Sequence, residues 1–294
     1  MDQLHLRAMG KINLGLDVLG TLPNGYHEVR MVMQMVNMYD RITLKDTETE
    51  GISITTNLHF LPTNENNLVY KAAKLLMDEF HITKGLSIHL YKYLPVAAGM
   101  AGGSSDAASV LVGVNRLFKL GLSTKDLMER GVSIGADVPY CVMRSTALAE
   151  GIGEKLSSLP PMPPCHILIA KPGISVSTKF VYDNLDMQTV VEHPPIDDTI
   201  KALENGDLQA LATSMGNVLE GVTIPHYPEI DAIKQCMLEN GALGSLMSGS
   251  GPTVFGLFEP ECEADAKKAL AALKAQGIAK QLYLTTPYNP KRKG

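Results

Sequence analysis

Between an alternating apolar–polar run at 85–94 and a helical pattern that reaches Phe118 lies Pro95-Val-Ala-Ala-Gly-Met-Ala-Gly-Gly-Ser-Ser-Asp106. This segment constrains the fold most, because it demands a strand, a loop of small side chains and then a helix. The helix's apolar face is Ala107, Val110, Leu111, Val114, Leu117 and Phe118, recurring at helical spacing. Gly99, Gly102 and Gly103 are free to adopt positive φ, and small side chains let a ligand approach the backbone. Amides of the loop and first helical turn then face an anion, with the helix dipole adding to the attraction. Ser104 and Ser105 either cap the helix or donate to phosphate oxygens. The alternative is a structural glycine turn with serine caps. No Gly-Lys-Ser/Thr follows, so the loop is not a Walker A motif, and no Gly-x-Gly-x-x-Gly is present.

Elsewhere the chain alternates between strand and helix signals. LHLRAM, KINLGLDVLG and RITLK read as strands, with a turn at Asn24-Gly-Tyr26. Asn66 to Phe80 carries Leu68, Ala72, Leu75, Leu76 and Phe80 at helical spacing, and Gly85 introduces the strand GLSIHLYKYL. A helix is expected over Ser123 to Arg130, with Gly131 as its C-cap. Residues 156–164 hold four prolines and form the best linker. HILIA, two strands around GSLMSGSGPTVFGLF, a helix from Glu263 to Gln276 and the strand QLYLTT follow. Strands and helices are intermixed in both halves, which predicts an α+β (α/β two-layer) protein. The expected domains are 1–160 and 161–294, within the size that 294 residues suggest.

Composition excludes several classes. With 45% hydrophobic and 19% charged residues, the chain can bury real cores and is not a disordered segment. A net charge of −5 offers no basic field for a phosphate backbone, and Lys291, Arg292 and Lys293 read as a solvated end, so no nucleic-acid partner is expected. Cys141, Cys165, Cys236 and Cys262 lack metal-ligand or disulfide-frame spacing and fit a reducing compartment. No signal peptide or membrane-length apolar run is present. A cytoplasmic protein is the expectation, with no membrane partner and a monomer or homodimer state.

Four further motifs carry polar chemistry, each with a plain structural alternative. Lys11 and Asn13 share one face of a strand, and an exposed edge lysine is the alternative. Gly135-Ala-Asp137-Val-Pro139 places a carboxylate at a helix start, either as a cap or as a proton acceptor for a substrate hydroxyl. Asn24-Gly-Tyr-His-Glu28 offers a ring and an imidazole suited to a nucleobase, or simply a surface turn. Ser248-Gly-Ser-Gly-Pro-Thr253 is a hairpin loop or a second phosphate-facing loop.

Taken together and in this order, these motifs resemble the GHMP kinases. Pro95, Val96, Ala97, Ala98, Gly99, Met100, Ala101, Gly102, Gly103, Ser104 and Ser105 look like that superfamily's phosphate loop. Ser248, Gly249, Ser250, Gly251 and Thr253 resemble its C-terminal glycine-rich motif. Within it, KINLGLDV, NGYHEV and GADVPYC are similar to the 4-diphosphocytidyl-2-C-methyl-D-erythritol kinase family.

That resemblance implies a two-domain GHMP kinase fold, with ATP on the N-terminal domain and the substrate in the interdomain cleft. It implies transfer of the γ-phosphate of ATP, accompanied by Mg²⁺ as a substrate complex, to the 2-hydroxyl of a cytidyl-diphosphate sugar alcohol. Asp137 is then the base, and Lys11 sits beside it. Asn13 positions substrate, Tyr26 and His27 hold the cytosine, and Tyr182 with Thr178 lines the same pocket. Asn67, Leu68 and Lys92 fall where the family contacts the nucleotide. The resemblance assigns no protein ligand to the metal. Two departures stand out: Met9-Gly10 replaces Pro-Ala, and positions 97, 98 and 101 are alanine where some relatives have glycine. Alanine keeps the small size but disfavours strongly positive φ, which bears on the phosphate contacts at those positions. The alternatives are another GHMP small-molecule kinase and a nucleotide-binding regulator without catalysis.

Overall fold

The structure, a computed structural model, describes residues 3–23, 25–187, 190 and 192–290. Asn24 of the turn motif and the tail residues Lys291, Arg292 and Lys293 lie outside the described residues. The elements run β1 (Gln3–Thr21), β2 (His27–Thr47), β3 (Ile52–Thr56), α1 (Leu68–Glu79), β4 (Gly85–Tyr91), α2 (Gly102–Leu117), α3 (Thr124–Gly131), α4 (Val138–Met143), β5 (Ala147–Glu150) and β6 (Lys155–Ser158). There follow β7 (His166–Lys171), α5 (Thr178–Asp183), α6 (Ile196–Asn205), α7 (Leu208–Ser214), β8 (Gly216–Asn217), α8 (Glu220–His226), α9 (Glu229–Glu239), β9 (Gly244–Met247), β10 (Val254–Phe258), α10 (Glu263–Gln276) and β11 (Gln281–Thr285).

The chain forms two compact units, but they are not consecutive halves. One comprises Met1–Gly10, Met38–Val96 and Ala101–Arg144; the other comprises Lys11–Asn37, Ala97–Met100 and Ser145–Gly294. The expected division at residue 160 and these two units are different partitions of the chain. The physical basis of the former was the proline-rich segment, yet Lys155–Ser158 pairs with β5 as a strand, and Met162 is buried with its carbonyl accepting from Asn289 Nδ2 at 2.9 Å. Prolines there shape an edge instead of separating domains. The units divide inside the two longest strands, on either side of 97–100 and after Arg144.

In the first unit, the second half of β2 pairs antiparallel with β4, from Arg41 opposite Tyr91 to Thr47 opposite Gly85. β3 adds in parallel to the far side of β4. Leu44, Leu86, Ile88, Val69, Leu76, Val110, Leu111 and Val114 are all fully buried in it, as the helical face predicted for 107–118 requires. Burial of such side chains stabilises by about 1.5–3 kcal/mol each. α3 carries a full capping box between Ser123 and Asp126. Gly131 is the last residue of α3 and not its C-cap: a Cβ there would come within 2.9 Å of Val138 Cγ1, so its role is close packing of α3 on α4.

In the second unit, β11, β7, β10 and β9 form an antiparallel sheet with Phe255, Phe258, Ile167, Leu168 and Ile169 at zero exposure, and α9 and α10 pack against it. The first half of β2 pairs with β5, Met31 opposite Ala149, and β1 pairs in parallel with β8, Gly15 opposite Gly216. Residues 8–18 of β1 are buried without interruption, so alternation disappears where both strand faces are covered. All four cysteines are free thiols, three of them buried. Among the described residues no helix is long and apolar enough to cross a membrane.

Candidate active site

The phosphate-loop segment is shaped by an alternation of backbone hand. Ala97 (φ +50°), Gly99 (φ +70°) and Ala101 (φ +52°) are left-handed, while the residues between them are not. Alternating hand turns successive amides toward one side and makes a concavity suited to an anion. Alanine does not exclude positive φ at 97 and 101, which hold the conformation glycine would take. Ala101 (φ +52°, ψ +29°) is the N-cap residue of α2 and makes no side-chain cap. Ser104 and Ser105 lie inside the first turn, so the serine-cap reading is also corrected. The first amides of a 16-residue helix therefore lack any side-chain cap, the condition an anion site needs.

Holding alanine in the left-handed region costs about 1–2 kcal/mol. Glycine adds roughly 0.5–1 kcal/mol of unfolded-state entropy. Ala101→Gly is accordingly expected to stabilise the fold by about 0.5–1 kcal/mol, whereas Ala101→Val destabilises it. Thermal melts of both variants check this; equal melting temperatures would contradict it.

The first unit supplies the other residues around the start of α2. Ser104 Oγ is 3.9 Å from where a Cβ on Gly135 would lie, so the Gly135-Ala-Asp137 motif packs against that turn. Asp137 occupies the N-cap position of α4, yet its side chain makes no capping hydrogen bond and stays partly exposed. Asn67 is the N-cap of α1: its Oδ1 accepts from Val69 N at 3.1 Å and its Nδ2 donates to Pro62 O at 2.7 Å. Leu68 Cδ1 lies 3.6 Å from the Cβ position of Gly103, beside the α2 start. Lys92 is buried, and its ammonium donates to Asp40 and, at 2.6 Å, to Asp106 Oδ2. Its burial opposes ionisation, but the two carboxylates outweigh that and raise its pKa.

The second unit brings a different set together. Lys11 and Asn13 are 5% and 0% exposed, which removes the edge-lysine alternative. Their side chains share a face as strand periodicity requires, Lys11 Nζ donating to Asn13 Oδ1. Lys11 N donates to Met100 O at 3.1 Å, tying β1 to the phosphate loop. Ser248 Oγ donates to Gly99 O at 2.9 Å and accepts from Asn13 N at 3.3 Å. The 248–253 loop does close a hairpin between β9 and β10, but it also grips the phosphate loop and β1. Gly249 (φ +61°) and Gly251 (φ +85°) give it its turns. Ser250 Oγ pairs with Thr178 Oγ1 at 2.9 Å, and Thr253 is fully buried.

On α5, Tyr182 packs its ring against His27, centroids 5.1 Å apart and tilted by 44°, while Tyr26 is 61% exposed. The aromatic wall therefore pairs with the histidine. Sequence reasoning missed Asn217, whose Nδ2 donates to Met247 O and Gly249 O, each at 2.8 Å, and which anchors the second glycine loop. It also missed Asp40, Asp106 and the pair His193 Nδ1–Asp17 Oδ1 at 2.8 Å. An acidic residue inside an apolar run, as at Asp17, was the available signal.

Comparison with known proteins gives a consistent result. A family model described as "GHMP kinases N terminal domain" matches residues 67–145, and one described as "GHMP kinases C terminal" matches 186–279. The chain is 56% identical over 290 residues to the 4-diphosphocytidyl-2-C-methyl-D-erythritol kinase of Lachnospira eligens, covering 99% of this chain and 100% of that one. Its identity to the kinase of the same name from Lachnoclostridium phytofermentans is 55%, covering 99% of each. Among solved structures, a 4-(cytidine 5'-diphospho)-2C-methyl-D-erythritol kinase superposes with a TM-score of 0.83 at 30% identity, covering 98% of this chain and 100% of that one. Homoserine kinase from Cytophaga hutchinsonii superposes with a TM-score of 0.77 at 22% identity, covering 98% and 95%, a likeness of fold alone.

Proposed function

Because the chain belongs to the 4-diphosphocytidyl-2-C-methyl-D-erythritol kinase family of GHMP kinases, we propose that it phosphorylates the 2-hydroxyl of 4-diphosphocytidyl-2-C-methyl-D-erythritol with ATP. The reaction belongs to the methylerythritol phosphate route to isoprenoid precursors. ATP arrives with Mg²⁺ as its substrate complex, and the protein works in solution in the cytoplasm.

Phosphoryl transfer requires little covalent chemistry from a protein; positioning and stabilisation of charge dominate. The left-handed alternation at 97, 99 and 101 and the uncapped start of α2 suit the phosphates. Asn67 and Leu68 border the nucleotide from α1. Asp137 accepts the hydroxyl proton, a role its unused carboxylate leaves open. Lys11 and Asn13 orient the acceptor.

The observation that carries the cytidyl reading is the ring pair of His27, at the start of β2, with Tyr182, on the same short helix as Thr178, itself bonded to Ser250. Both rings and the second glycine-rich loop belong to one unit, and the exposed Tyr26 precedes His27, which supports a nucleobase-holding role. Kinases of plain alcohols have no base to hold. Tyr182→Ala is expected to raise KM for the cytidyl substrate on the order of 10-fold or more, from about 1–3 kcal/mol of base stacking, with KM for ATP unchanged. Equal effects on both substrates would remove the clamp.

ADP release with ATP, Mg²⁺ and the cytidyl substrate, run beside homoserine and mevalonate, tests the whole. Release that depends on the cytidyl substrate supports it. Turnover of another alcohol keeps the kinase chemistry and overturns the specificity. Silence with all three, with ATP still bound, favours a nucleotide-binding regulator.

A further inference from the structure

Asp40, Lys92 and Asp106 come from three separate places: β2, the chain just after β4, and the first turns of α2. All three are at most 8% exposed. Lys92 Nζ bonds both carboxylates, the Asp106 contact at 2.6 Å. Asp40 Oδ1 also accepts from Tyr93 N at 2.5 Å and Leu94 N at 2.8 Å. The backbone of Lys92 is held twice more, its N donating to Asn57 Oδ1 at 2.7 Å and its O accepting from Asn57 Nδ2 at 3.0 Å. Residues 92–94 therefore have no freedom left. On the other side, a Cβ at Gly102 would lie 3.3 Å from Lys92 Nζ, so the ammonium sits directly under the first residue of α2.

Residues 95–101 of the phosphate loop lie between these two clamped ends. We infer that Asp40, Lys92 and Asp106 form a staple that fixes the two shoulders of the phosphate loop, with Asp40 and Asp106 as positioning residues and Lys92 as their cross-link. This rests on the proposed kinase reading and deepens it. Lys92 thereby acts on nucleotide through the loop, not by touching it.

Two observations favour a built device over a chance ion pair. Replacing buried ion pairs by apolar side chains is often neutral or stabilising, so stability alone does not call for such a cluster. The charges also do not balance: two carboxylates share one ammonium. Burial pushes the Asp106 carboxyl well above the usual range, Lys92 opposing and the neighbouring Asp40 charge adding to it. Among the described residues Asp106 Oδ1 has no partner, which leaves a place for a proton. With that proton the staple is neutral and does not repel phosphate.

The test is calorimetric titration of the full chain with MgADP, which needs no acceptor alcohol and so stands apart from the kinase reading. Asp106→Asn keeps a neutral group that accepts from Lys92, so its affinity is expected within about threefold of wild type. Asp106→Ala and Lys92→Met each weaken MgADP on the order of 10-fold, and the double variant is no weaker than Lys92→Met alone, because the staple is already open. In turnover, KM for ATP rises in the single variants while KM for the acceptor does not. If Lys92 instead touches nucleotide, Asp106→Ala frees its ammonium and leaves affinity unchanged or tighter, which overturns the inference. Additive losses, or loss of affinity in Asp106→Asn with an unchanged melting temperature, overturn it too.

Discussion

Asp137→Asn is expected to lower kcat by about 10²–10⁴-fold while KM for ATP and for the cytidyl substrate stays within about threefold. The structure makes this substitution unusually clean. Asp137 stands at the N-cap position of α4, where loss of a capping carboxylate normally costs about 1 kcal/mol. Its side chain makes no capping bond, so that cost is absent, and the amide preserves shape. Pro139 sets the backbone of the first turn whatever precedes it. A large fall in kcat with an unchanged melting temperature therefore reports chemistry and not folding. Steady-state kinetics beside a thermal melt decide it: wild-type turnover in Asp137→Asn would end the case for this base.

Gly99→Ala is the second large effect. A left-handed φ alone is tolerated here, since Ala97 and Ala101 adopt it. Space is what Gly99 lacks. A Cβ would lie 2.1 Å from Ser248 O, 3.1 Å from Ser248 C and 3.3 Å from Gly251 O, all backbone atoms of a loop held by Asn217. Neither side can yield without breaking the Ser248–Gly99 bond. Overpacking of this kind costs about 1–3 kcal/mol, and displacement of the loop by an ångström lowers kcat/KM for ATP on the order of 10²-fold. Gly103→Ala is the control, because its Cβ would meet only Leu68 Cδ1 at 3.6 Å, an ordinary contact. If Gly99→Ala melts and turns over like Gly103→Ala, the loop-to-loop grip has no functional weight.

That contrast shows how far residue types carry an argument. The glycines of the phosphate loop are alike on the page, yet only contacts from residues 149 positions away distinguish Gly99. Helices with one apolar face and a stop, such as α2, α3 and α10, were legible to within about two residues, because burial and local capping both leave marks in sequence. Strands buried on both faces were not: residues 8–18 show no alternation, and β1 reads as two pieces when it is one. The unit boundaries at Gly10 and Asn37 leave no break to read, because each strand runs straight through them. In the site, the loops, Lys11, Asn13 and Asp137 were legible through composition, spacing and resemblance. Asn217, Asp40 and Asp106 were not, since their work is to hold other residues and their partners lie far along the chain.

The route of β1 and β2 also sets an order of events on the ribosome. Every residue of the first unit has been made once Arg144 emerges, so that unit is free to mature while the rest is still being translated. Residues 11–37 cannot do so. Met31–Met33 must wait for Ala147–Ala149, Gly15 and Leu16 must wait for Gly216 and Asn217, and Ser248 must arrive before it can bond Gly99. At about 5–20 residues per second, the β1–β2 pair waits several seconds or more for its outer neighbours β5 and β8 to emerge. It is the segment a nascent-chain chaperone has most reason to cover.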